Sequence, residues 1–115
     1  MKATFVELPP FERYRREYLD DEAFSTLQQE LMAAPLAGDL IIGTGGLRKI
    51  RFSDSRRNKG KRGGTRIIYY WWDGGSQFWL FTLYNKDEMA DLSNDQRNLL
   101  SQMLKNELKA RGTQE

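Results

Sequence analysis

A chain of 115 residues is the size of one domain, and 39% apolar with 12% aromatic residues is enough to fill a single core. It contains neither cysteine nor histidine, which excludes disulfides, thiolate zinc sites and imidazole acid–base chemistry. With no metal-ligand constellation, no P-loop and no dinucleotide fingerprint (Gly43-x-Gly45-Gly46 lacks the spacing), neither a metal site nor a bound cofactor is expected. The net charge is only +2, but nine bases between Leu47 and Arg66 (Arg48, Lys49, Arg51, Arg56, Arg57, Lys59, Lys61, Arg62 and Arg66) accompany one acid, Asp54, a local +8 against −6 for the remaining nine bases and fifteen acids. A concentrated basic segment on an otherwise acidic body points to a polyanionic partner, nucleic acid first.

In chain order, Thr4–Glu7 reads as a short strand, and Pro9 suits the first turn of a helix carrying Phe11, Tyr14 and Tyr18 at helical spacing. Asp20, Asp21 and Glu22 place acids at the start of a second helix, whose apolar stripe is Ala23, Phe24, Leu27, Leu31 and Met32 and which Pro35 ends. A connector from Leu36 to Gly46, with a brief extended piece near Leu40–Ile42, leads to a strand over Leu47–Phe52. There Lys49 and Arg51 share one face and Ile50 and Phe52 the other. A polar basic loop over Ser53–Gly64 precedes Thr65–Trp72, a strand apolar on both faces and so expected to be central and covered. Asp73-Gly74-Gly75-Ser76 is a hairpin turn into the return strand Gln77–Tyr84. Ser93 with Gln96 forms a capping-box pattern opening a helix with Leu99, Leu100, Met103, Leu104 and Leu108, and Gly112 is its stop. The fold class is therefore α+β: an antiparallel sheet, mixed at its edge, with two N-terminal helices and one C-terminal helix, forming one domain over 1–112 and a loose tail over 113–115. The longest apolar run, Ile67–Trp72, is far shorter than a membrane span and no signal peptide opens the chain, so a cytoplasmic protein with no membrane partner is expected.

Three groups of residues bear on chemistry. Lys49 and Arg51 on one strand and Arg66 at the start of the next are brought into one basic surface by a hairpin, with Lys86 after the last strand. Like charges on adjacent strands repel unless an anion lies over them. Arg56, Arg57, Lys59, Lys61 and Arg62, with Arg48, suit contacts to phosphates without sequence reading. Of the aromatics, most belong to the core, and Tyr84, beside Lys86 at the strand end, is the candidate for stacking on a base. Asp87, Glu88 and Asp91 read as acids near the start of the last helix. Without histidine, a proton acceptor is a lysine, a carboxylate, a tyrosine or RNA itself. Neighbouring cations lower a lysine's pKa, so Lys49 beside Arg51 and Arg66 is open to such tuning. Arginine stays charged and suits a phosphate clamp.

Three stretches, Gly45-Gly46-Leu47-Arg48-Lys49-Ile50-Arg51, Lys61-Arg62-Gly63-Gly64-Thr65-Arg66-Ile67-Ile68-Tyr69-Tyr70 and Leu83-Tyr84-Asn85-Lys86-Asp87-Glu88, give the chain its resemblance to the HigB-type branch of the RelE/ParE toxin superfamily. The resemblance covers nearly the whole chain. It implies the toxin of a type II toxin–antitoxin pair, a metal-independent, ribosome-dependent endoribonuclease that cuts mRNA in the A site by 2′-hydroxyl attack and so inhibits translation. It also implies a helix-turn-helix antitoxin as partner, with operator DNA reached only through that antitoxin. Lys49, Arg51, Arg66 and Lys86 match the family's catalytic cations. Asp87 and Ser93 depart from the RelE pattern, which has arginine and tyrosine there. Two other readings stand beside it: a non-catalytic nucleic-acid-binding module, and a ParE-type gyrase poison on the same scaffold.

Overall fold

The computed structural model of the protein describes residues 2–53 and 64–112. The elements run β1 (Thr4–Glu7), α1 (Pro9–Tyr18), α2 (Asp21–Ala33), β2 (Asp39–Leu40), β3 (Arg48–Phe52), β4 (Thr65–Trp72), β5 (Gln77–Asn85) and α3 (Asn94–Glu107). Alpha helix α3 continues into a wider π-type turn over Leu108–Gly112. The expected α+β class holds, with the strands in one sheet of order β1-β5-β4-β3-β2. Strand β1 runs parallel to β5, and the other neighbours are antiparallel.

Strand β4 is central because it has apolar residues to bury on both faces. Ile67 and Tyr69 enter one core with Ile50, Phe52, Phe78, Leu80 and Leu83 of the sheet and Phe11, Phe24, Leu27 and Leu31 of α1 and α2. Ile68 enters a second core with Leu47, Trp79, Phe81, Tyr84, Leu92 and, from α3, Leu100 and Leu104. The sheet is thus sandwiched between α1/α2 and α3.

The helix starts follow local chemistry. Pro9 and Pro10 occupy the first turn of α1, where a missing N–H costs nothing. The Asp20 carboxylate accepts from the Ala23 N–H and caps α2. Ser93 and Gln96 make the reciprocal capping box foreseen for α3. On α1 the helical spacing gives a different inside from the one expected: Tyr14 is exposed, and Arg15 is buried between Phe24 and the bonds it donates to Leu19 O and Asp21.

Strands β4 and β5 pair out of simple register at one point. Ile68 faces Thr82 and Tyr69 faces Leu80, so Phe81 is an extra residue in β5. A bulge of this kind reverses the alternation beyond it. Phe78 and Leu80 lie on the α1/α2 side, yet so does Leu83, and Tyr84 is delivered to the α3 side.

Candidate functional site

The site grows from the register of β3, β4 and β5. Arg51 lies opposite Arg66, and Arg66 lies opposite Tyr84. Directly paired residues share a face, and residues two apart on a strand share it too. Lys49, Arg51, Arg66 and Tyr84 therefore stand on the α3 side of the sheet, as expected for the first three. Strand β3 needs only its alternation for this: Ile50 and Phe52 turn into the α1/α2 core, so Lys49 and Arg51 turn the other way.

Their environments differ. Arg51 is exposed, whereas Arg66 is only 4% exposed and forms the floor of the basic face rather than its surface. Tyr84 is 5% exposed and packed in the α3-side core, so no ring face is open for a stacked base. Its hydroxyl is buried with no hydrogen-bond partner. Burial pushes that phenol's pKa up, the nearby Asp91 carboxylate adds to the rise, and the Arg66 charge opposes it.

Lys49 meets an acid. Its ammonium lies 3.4 Å from the Asp91 carboxylate, across 42 residues of chain. The acid reaches the sheet because Leu92, the next residue, is buried in the α3-side core. Asp91 also accepts the Leu92 N–H at 2.8 Å. That bond, and then the Lys49 charge, hold the Asp91 carboxyl below its ordinary pKa, with a smaller effect from Arg97. The basic face is thus met by a carboxylate from outside the basic segment, contrary to the reading of Asp91 as one of a set of acids serving the start of the last helix. No spacing rule connects Asp91 to Lys49; the pair exists only through the fold.

Arg48 does not join the group. It pairs with Tyr69 on the α1/α2 side of β3, and its guanidinium donates to Gly38 O at 2.8 Å and to Leu36 O at 3.4 Å. Its work there is to hold the connector against the sheet. Lys86 is exposed just past β5, at the end of the sheet where its backbone N–H meets Gly64 O. Arg56, Arg57, Lys59, Lys61 and Arg62 lie outside the described residues, as does the tail 113–115.

No protein-family model matches the chain. Among solved structures it is similar to a doubly substituted variant of the E. coli toxin RelE in the free state, with a TM-score of 0.54 and 15% identity over 78% of this chain and 90% of that one. At that identity the likeness establishes the fold, which is RelE-like. Among the described residues no helix is long and apolar enough to cross a membrane.

Proposed function

We propose that the chain is the toxin of a toxin–antitoxin pair and acts as a ribosome-dependent mRNA endoribonuclease in the cytoplasm, restrained by a helix-turn-helix antitoxin. The observation that carries this reading is the convergence of Lys49, Arg51 and Arg66 on one face of a RelE-like sheet, Arg51 directly opposite Arg66. The HigB-type sequence resemblance supports the same reading.

The chemistry suits such a face. The ribose 2′-hydroxyl attacks the adjacent phosphorus; the O2′–P bond forms as the P–O5′ bond breaks, leaving a cyclic phosphate and a 5′-hydroxyl. One proton leaves the attacking oxygen and one is supplied to the departing oxygen. Arg51 and Arg66 neutralise charge that builds on the phosphoryl oxygens, and preorganised cations in a partly desolvated site act strongly there. Lys49 or Lys86 serves the proton transfers. Arg56, Arg57, Lys59, Lys61 and Arg62 supply backbone contacts to ribosomal and messenger RNA.

Cleavage of a reporter mRNA on translating ribosomes tests the proposal. Lys49→Ala, Arg51→Ala, Arg66→Ala and Lys86→Ala are compared with the parent, each checked for folding by circular dichroism. Loss of any one charge stabiliser is expected to slow cutting on the order of 100-fold. Near-parental cutting by all four ends the proposal, and RNA binding without cutting by the parent protein replaces it with a binding module.

A further inference from the structure

Asp91 brings a carboxylate from outside the basic segment to the proposed RNA-cleaving face. The carboxylate sits at 3.4 Å from Lys49 and close enough to Tyr84 for its charge to be felt there, with Arg66 close enough to be felt by the same phenol. It offers the basic face what a phosphate would offer: an oxyanion against Lys49. We propose that Asp91 is a built-in anion occupying this seat, so that the unbound protein is self-masked and an incoming phosphodiester must displace the carboxylate from Lys49. The inference rests on reading the face as an RNA site.

The local structure suits a displaceable mask. The Asp91 side chain is 66% exposed and Lys49 26%, so the pair is held at the surface and exchanges readily with another anion. Leu92 is buried beside it and the capping box fixes Ser93 and Gln96, so the carboxylate can turn away while the entry to α3 stays in place. The Tyr84 hydroxyl, buried beneath with no acceptor, is a donor that an anion seated deeper than the Asp91 carboxylate would satisfy.

The experiment is binding of a short fluorescein-labelled oligouridylate, read by anisotropy at low salt. Asp91→Asn is the informative variant, because the amide oxygen still accepts the Leu92 N–H while the charge is gone. It should bind about fivefold more tightly than the parent, the size of effect a single partly exposed ion pair and its field produce. Asp95→Asn, which removes the same charge from the first turn of α3, should change affinity much less. In a Lys49→Ala background the gain from Asp91→Asn should vanish. Equal or weaker binding by Asp91→Asn, or a gain that persists in full without Lys49, overturns the mask while leaving the RNA site standing if Lys49→Ala alone weakens binding. Failure of every protein to bind the oligonucleotide removes the site reading and the mask with it.

Discussion

Arg51 and Arg66 face each other across β3 and β4, and their burial separates what each contributes. Arg51 is exposed, and its truncation to alanine should alter stability by no more than about 0.5 kcal/mol while weakening RNA binding. Arg66 is 4% exposed, so its truncation opens a void in the covered face of the sheet, a loss on the order of 1–3 kcal/mol. Urea unfolding of the two variants, side by side, tests this; equal stabilities would contradict the burial. Tyr18 gives a second case. Its hydroxyl donates to Glu88 at 2.7 Å and ties α1 to the turn after β5. Burial, then the Glu88 bond and nearby negative charge, raise its pKa from 10.0 to about 12. A folded-state pKa above the unfolded one means the stabilisation is complete below pH 10.0 and is lost as pH rises through about 12. Tyr18→Phe should therefore melt lower than the parent at neutral pH and show a smaller further drop across that alkaline window, as followed by circular dichroism. Side chains of this kind were only partly legible in sequence. The shared face of Lys49, Arg51 and Arg66 follows from strand alternation and pairing, but the depth of Arg66 depends on what packs over it.

At the start of the connector between α2 and β3, the phenol of Tyr69 adds to the hold that Arg48 and the β2–β3 pairing provide. Tyr69 of β4 donates to Pro35 O at 2.8 Å and accepts from the Gly38 N–H at 2.9 Å. A Cβ on Gly38 would come within 2.8 Å of the Tyr69 ring and 3.0 Å of the Lys49 backbone, so the chain passes there only as glycine. Tyr69→Phe leaves both backbone groups without their partner and should cost roughly 1–3 kcal/mol; denaturant unfolding measures it, and faster amide exchange at Gly38 should accompany the loss. Order and type of the elements were readable because each has a clear period: the two-faced apolar β4, the striped α2, the capping box of α3. What period alone does not reveal is the extra residue at Phe81. Strict alternation from Phe78 and Leu80 would send Tyr84 to the α1/α2 side, away from Arg66. The bulge sends it to the α3 side, beside Arg66, and Leu92 and α3 cover its ring there. A place at the strand end beside Lys86 suggests an open ring for stacking, and the cover over it cannot be read from that spacing.

At the scale of the molecule the charge is nearly balanced, +2 overall, so attraction to a polyanion must come from how the charges are arranged. The sheet sorts them. Three residues apart, Arg48 and Arg51 lie on opposite sides of β3: one donates to connector carbonyls, the other is exposed on the face of Lys49. A composition count treats the two as equal members of the basic segment, and only the pleat distinguishes them. RNA binding to one face predicts unequal salt responses. Each phosphate contact to a single strand contributes about 0.7 to the slope of log affinity against log salt. Arg51→Ala should therefore lower the magnitude of that slope by about 0.7. Arg48→Gln, which keeps a donor for the Gly38 carbonyl, should leave it nearly unchanged. Anisotropy titrations of the same oligouridylate over a range of potassium chloride concentrations compare the two directly. Equal reductions would mean that the polyanion responds to total charge rather than to the face that β3, β4 and α3 build, and the α3-side site would lose its claim to be where RNA is held.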